Sequence, residues 1–143
     1  MTVWRLSRII YRDLSGAGGL RFSGRWNDAG LPIVYTRSSL ALSVLERRLH
    51  SLQRPQDDVS IQIEIPDEAI EHTEPLPDGW KENLQLTRSL GAEWLRSNRS
   101  LSLRVPSALV PEFNYLINPR HAEIRDVGIV SVTPFTYDER LYR

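Results

Sequence analysis

The spacing of apolar residues predicts five β-strands. The clearest is residues 59–65 (VSIQIEI), where strict alternation gives one apolar and one polar face. Residues 32–36 (PIVYT) are β-branched and aromatic, as in a buried strand. The other three predicted strands are residues 2–8, 100–105 and 128–135.

A helix is predicted directly after the second strand, because Ser38 or Ser39 is suited to cap a helix N-terminus. Glu46 falls about 40° beyond the edge of the apolar arc of this helix, so we expect it to border the core. Arg48 falls inside the arc and must either extend to solvent or meet a buried acid. The arc spans about 200° and consists of Leu40, Ala41, Leu42, Val44, Leu45 and Leu49.

A second helix is predicted to end near Asn98, and its apolar side indicates a structural role. Strands outnumber helices, and the helices are isolated inserts. The fold class is therefore predicted as α+β, with a mixed or antiparallel sheet. A length of 143 residues fits one domain, residues 1–143. The apolar side of the second helix consists of Leu84, Leu86, Leu90, Trp94 and Leu95.

Residues 13–31 form a long loop between the first two strands. Compact domains seldom carry a loop of this length without a function. Its glycines spell neither the GxGxxG nor the Walker A phosphate-binding motif. They are Gly16, Gly18, Gly19, Gly24 and Gly30.

Composition narrows the classes of partner. Eighteen basic and eighteen acidic residues give a formal net charge of zero, so nucleic acid is not favoured as a direct ligand. Between residues 5 and 25, however, there are five arginines and only one acidic residue, Asp13. This excess of positive charge indicates either a local anion site or a solvated basic face. One of these arginines, Arg5, shares a predicted strand face with Val3 and Ser7.

Other chemistry is poorly supported. The absence of cysteine fits a reducing compartment, and neither a signal peptide nor a membrane span is recognisable, so we expect a cytoplasmic protein without a membrane partner. The three histidines lack the spacing of a metal site, and no metal is expected. Ser107 has no glycine-flanked elbow and reads better as a hydrogen-bonding serine than as a nucleophile.

The sequence from residue 24 onwards resembles the RES domain, the toxin half of RES/Xre toxin–antitoxin pairs. The resemblance lies in GRWN (24–27), the strand LPIVYT (31–36), the helix LALSVLE (40–46), VPSA (105–108) and VPEFNYLINP (110–119). It runs from about residue 3 to residue 135. The matching positions are Arg25, Tyr35, Glu46, Ser107 and Asn114.

The resemblance implies an ADP-ribosyltransferase-like fold and an enzyme that consumes NAD as its substrate, with an Xre-like antitoxin as partner. The expected reaction cleaves the nicotinamide–ribose bond by hydrolysis or phosphorolysis and arrests growth. Any contact with DNA is expected through the antitoxin, and the toxin is expected to form homo-oligomers, if at all, within the complex.

The residue types suit that reaction. Glu46 is expected to stabilise the cation that develops on the ribose. Arg25 is expected to donate two hydrogen bonds to the pyrophosphate. Tyr35 is expected to stack its ring on nicotinamide and to bond the nicotinamide amide through its hydroxyl. Ser107 and Asn114 are expected as polar groups that position the substrate.

Two other functions stay open. The same site would serve an ADP-ribosyltransferase with a specific protein acceptor. A binding module or an RNA-directed growth inhibitor is favoured only by the arginines of the first loop. Taken singly, Arg25 reads as a surface residue, Tyr35 as a core aromatic and Glu46 as a solvated helix residue.

Overall fold

The structure, a computed structural model that describes residues 1–143, is built on one mixed sheet of seven strands. The strand order is β4-β5-β6-β2-β1-β3-β7, and only the β4–β5 pair is parallel. The strands are β1 (Thr2–Arg8), β2 (Val34–Arg37), β3 (Asp58–Glu64), β4 (Ile70–His72), β5 (Ser102–Pro106), β6 (Phe113–Ile117) and β7 (Gly128–Pro134). The helices are α1 (Ala17–Arg21), α2 (Leu40–Leu49) and α3 (Leu84–Ser97), with short 3₁₀ turns between elements.

The sheet is weakly joined in the middle. β1 pairs with β3 along its whole length, and β2 pairs with β6 through all four of its residues. Between β1 and β2, however, only Trp4 and Arg37 face each other as a pair. The sheet therefore consists of two well-paired halves that meet at one bridge.

Two apolar clusters stabilise the fold, one on each face of β6. Tyr115 and Ile117 belong to a cluster with the first and third strands. Leu116, between them, points to the other face and packs with Trp94 and Trp26. Through Trp94, α3 covers this second face, which confirms the structural role predicted for that helix. No helix of the chain is long and apolar enough to span a bilayer.

The predicted fold class is confirmed, and all five predicted strands are present within two residues of their expected bounds. β4 and β6 were not predicted. β4 has only three residues, too few for a pattern, and β6 is buried on both faces after its first residue, so its apolar residues do not alternate. The loop also contains a five-residue helix, α1, in which Gly19 packs so closely that a Cβ would stand 2.5 Å from the Leu31 carbonyl oxygen.

Helix α2 begins as predicted, with the Ser39 side chain accepting a hydrogen bond from the Leu42 N–H at 3.0 Å. Its buried face differs from the predicted arc. Leu42 and Ser43 are buried, whereas Leu45 and Leu49 remain 39% and 58% exposed. The helix is turned so that its polar side, with Glu46, faces the sheet.

An ion pair explains this orientation of α2. Arg47 donates two hydrogen bonds to the carboxylate of Asp58, at 2.7 and 2.8 Å, and the Tyr137 hydroxyl donates a third at 2.7 Å. The Asp58 side chain is fully buried. Arg48 was expected to reach either solvent or a buried acid. It lies over the ring of Tyr142 at the surface. The buried acid, Asp58, pairs with the preceding residue, Arg47.

Asp58→Asn is expected to destabilise the protein by about 3 kcal/mol at pH 7, because it leaves a partly buried guanidinium without its counter-charge. Hydrogen bonds from Arg47 and Tyr137 hold the pKa of Asp58 below its usual value, against the opposing effect of burial. The stabilisation is therefore complete above the unfolded pKa of about 4 and is lost as the pH falls through the lower folded pKa.

Urea unfolding at pH 7 and at stepwise lower pH tests this prediction. The difference between wild type and Asp58→Asn should shrink as the pH falls below about 4. Asp138→Asn, at an exposed carboxylate that bonds only Arg140, is the matched control. Equal stability of Asp58→Asn and wild type at pH 7 would show that the pair does not anchor α2.

Candidate active site

A cleft of about 840 Å³ opens at the joint between the two halves of the sheet. Strands β1 and β2, helix α2, the glycine-rich loop and the segment after β5 contribute to its walls. Its volume lies in the usual range for small-molecule sites. Of the residues predicted from the sequence, Arg25, Tyr35, Glu46 and Asn114 line it.

Glu46 is held in place by Ser107 and Asn114, the two polar residues that were expected to position the substrate. One carboxylate oxygen, Oε1, accepts hydrogen bonds from the Ser107 hydroxyl at 3.2 Å and from the Asn114 amide at 3.1 Å. The Leu109 N–H in turn donates to the Ser107 oxygen at 3.1 Å. These contacts fix the carboxylate and leave its other oxygen, Oε2, without a hydrogen-bond partner from the protein.

Ser107 does not itself line the cleft. It is buried behind Glu46, while the two residues after it form the wall. Ser107 therefore contacts the site only through its hydrogen bond to the Glu46 carboxylate. This position agrees with a residue that orients Glu46 and not with a nucleophile.

Tyr35 is bound to the loop opposite. Its hydroxyl donates to Oδ1 of Asn27 at 2.6 Å and accepts from the Trp26 N–H at 3.0 Å. Burial raises the pKa of Tyr35 to about 12, so the hydroxyl keeps its proton at neutral pH. That proton is already donated within the protein, and the hydroxyl can approach a substrate amide only as an acceptor.

Arg25 lies at the rim of the cleft. Its Nη1 donates to the Lys81 carbonyl at 2.9 Å, and its guanidinium carbon lies 5.8 Å from the centre of the Trp80 ring. One N–H of five is used in this bond, so the remaining donors are available to an anionic ligand.

Asn27 is a site residue that was not predicted. It is fully buried, and its amide nitrogen lies within 3.3 Å of three loop carbonyl oxygens. Its Oδ1 also accepts from the Gly24 N–H at 2.9 Å, next to its bond with Tyr35. Asn27 therefore fixes the loop that carries Arg25. The GRWN motif contained this residue, but its role depends on contacts that the motif does not specify.

Arg5 and Arg37 also line the cleft and were not predicted as site residues. The sequence pattern could have indicated Arg5, because it shares a strand face with the buried residues Val3 and Ser7. No sequence pattern indicated Arg37, because it follows the predicted end of its strand at residue 36. Both bring positive charge to the cleft, whose only carboxylate is Glu46.

Arginines around one fixed carboxylate can bind an anionic ligand and can stabilise positive charge that develops beside the carboxylate.

The fold is shared with a solved structure. One chain of the M. tuberculosis MbcT–MbcA toxin–antitoxin complex superposes with a TM-score of 0.77 over 99% of this chain and 86% of that chain, at 20% identity.

Residues 2–138 match the model of the RES domain, and the chain belongs to the RES domain family. The protein named Toxin Res from Pseudomonas putida is 43% identical over 99% of this chain and 100% of its own length. The Prs ADP-ribosylating toxin from Sphingobium sp. is 40% identical over 92% of this chain and 88% of its own length. The resemblance noted in the sequence is thereby confirmed.

Proposed function

We propose that this protein is a toxin that consumes NAD by cleaving the bond between nicotinamide and ribose. The observation that carries the proposal is Glu46, a carboxylate fixed by Ser107 and Asn114 and standing alone among the arginines of the cleft. A fixed negative charge in such a place stabilises a cation that forms during the reaction.

In the proposed step the bond between C1′ of the ribose and N1 of nicotinamide breaks. The electron pair goes to N1, so nicotinamide leaves as a neutral molecule and needs no acid to protonate it. Positive charge develops on the ribose, beside Glu46. Water, a phosphate oxygen or an acceptor side chain then bonds to C1′, and water or a neutral acceptor gives up a proton.

The other predicted residues position the substrate in this proposal. Arg25 meets the pyrophosphate with its free N–H groups. Tyr35 offers its ring to nicotinamide, with Asn27 holding the hydroxyl. Ser107 and Asn114 act through Glu46. No step requires a metal ion.

We also propose a cognate Xre-like antitoxin as partner and growth arrest in the cytoplasm as the effect. The name of the P. putida relative and the MbcT–MbcA complex support a toxin–antitoxin pair. The mouth of the cleft carries exposed apolar side chains that a protein partner would cover: Phe22, Leu49, Leu84 and Leu109. With zero net charge, contact with DNA is assigned to the antitoxin.

Transfer of ADP-ribose to a specific protein is the second candidate. The name of the Sphingobium relative, an ADP-ribosylating toxin, favours it. The same cleft would break the same bond, and only the group that captures the ribose would differ. The RNA-directed function has no comparable support.

Incubation of the purified protein with NAD tests the proposal and separates its forms. Nicotinamide and ADP-ribose in plain buffer indicate hydrolysis, a phosphorylated ADP-ribose formed only with phosphate indicates phosphorolysis, and ADP-ribose attached to protein only in a cell extract indicates transfer. Absence of nicotinamide release under all three conditions would overturn the proposal.

A further inference from the structure

The arginines of the cleft do not all have partners. Three of them approach a carboxylate: Arg47 that of Asp58 at 2.7 Å, Arg8 that of Asp57 at 3.6 Å and Arg88 that of Asp28 at 4.0 Å. Arg25 makes one bond, to the Lys81 carbonyl at the rim. Within the cleft, Arg5 and Arg37 also pair with no carboxylate.

Arg5 makes one hydrogen bond, from Nη1 to the Tyr35 carbonyl at 3.2 Å, and its Nε is fully buried without a partner. The guanidinium carbon of Arg37 lies 5.6 Å from the centre of the Tyr35 ring, and the side chain makes no hydrogen bond within the protein. A buried guanidinium nitrogen without a partner costs free energy, and a ligand oxygen would satisfy the Nε of Arg5.

The electrostatics agree with this geometry. Burial, followed by the charge of Arg37, lowers the pKa of Arg5 to about 10. Burial also lowers the pKa of Arg37, against the opposing effect of Glu46. Arg5 is therefore still charged at pH 7, and the charge of Arg37 repels it.

The fold brings the two charges together at the joint of the sheet. Arg37 occupies the single bridge between β1 and β2, opposite Trp4. Both guanidinium groups contact the same residue: Arg5 donates to the Tyr35 backbone carbonyl, and Arg37 lies over the Tyr35 ring. One guanidinium is thus supplied by each half of the sheet. Arg5 is fixed by its bond to Tyr35, whereas every donor of Arg37 is free.

We infer that Arg5 and Arg37 form a phosphate-binding subsite at this joint, and that it is the main anion site of the cleft. Planar guanidinium groups match phosphate oxygens with paired hydrogen bonds. The phosphate comes from one of two sources: the diphosphate of the dinucleotide, or free inorganic phosphate that attacks C1′ beside Glu46. The first source rests on the proposed function, while the subsite itself does not.

Direct binding measurements test the subsite without turnover. Calorimetric titration of wild type and Arg37→Gln with ADP-ribose, inorganic phosphate and adenosine gives the comparison. Arg37→Gln should weaken binding of the phosphate-bearing ligand by about 10- to 100-fold, because a charge-assisted bond is lost, and should leave adenosine binding unchanged. Arg96→Gln, at an exposed position of α3, is the matched control for net charge.

The two sources give different results. Loss of ADP-ribose binding, with no binding of free phosphate to wild type, assigns the subsite to the diphosphate. Loss of phosphate binding, with ADP-ribose unaffected, assigns it to inorganic phosphate. Changes of less than about twofold for both ligands, or no binding of either to wild type, would overturn the inference.

Thermal unfolding of each variant shows whether it is folded. If Arg37→Gln is not folded, Arg37→Lys replaces it, because lysine keeps the charge but loses the paired geometry. Normal binding together with no nicotinamide release would reject the proposed function and leave the subsite standing.

Discussion

Glu46→Gln is expected to lower the rate of nicotinamide release by about a thousandfold while the protein stays folded. Glutamine has nearly the shape of glutamate, and its carbonyl oxygen can still accept from Ser107 and Asn114. What is lost is the negative charge beside the ribose. The expected reduction is therefore in kcat, with a small change in KM.

Initial rates with NAD and thermal unfolding curves together test this expectation. Glu123→Gln, at an exposed position far along the chain, removes the same charge and should behave as wild type. Cells that express Glu46→Gln should grow and keep their NAD. A fall in rate that merely follows a fall in melting temperature would show that Glu46 is a structural residue.

Asn27→Ala should reduce both stability and activity, by about 3 kcal/mol in the free energy of unfolding and by at least tenfold in rate. The substitution leaves the Tyr35 hydroxyl without its acceptor beside a fully buried position, and the Gly24 N–H keeps only its bond to the backbone carbonyl of residue 27. Three loop carbonyl oxygens lose a donor as well. The loop that presents Arg25 then loses its fixed geometry.

Urea unfolding and initial rates of the same preparations check this prediction. The neighbouring variant Asp28→Ala is the control, since Asp28 is exposed and only approaches Arg88 at 4.0 Å. Its stability should stay within about 0.5 kcal/mol of wild type. Wild-type stability in Asn27→Ala would mean that the loop is held by other contacts.

The site was partly predictable because some of its positions are set by local pattern. Periodicity predicted that Glu46 borders the core, and Glu46 is half-buried at the cleft, but the apolar arc used for that prediction is not the buried face of α2. That face depends on the bond between Arg47 and Asp58, two residues joined only in the folded chain. No local pattern predicts such a pair.

The same reason explains the residues that were missed. The role of Asn27 consists of hydrogen bonds to five loop and strand partners, and Arg37 lines the cleft only because β1 and β2 meet at one bridge. β6 was missed because a strand buried on both faces does not alternate. Motif spacing predicted Arg25 and Tyr35, but not that the Tyr35 proton is already donated to Asn27.

The most direct test of the central claim is a crystal structure of Glu46→Gln with NAD, in which the substrate is not consumed. We expect C1′ of the nicotinamide ribose to lie within about 4 Å of the side chain at position 46, with nicotinamide against Tyr35. NAD bound elsewhere, such as in the open depression between Asp28 and α3, would contradict it. So would an empty cleft at saturating NAD.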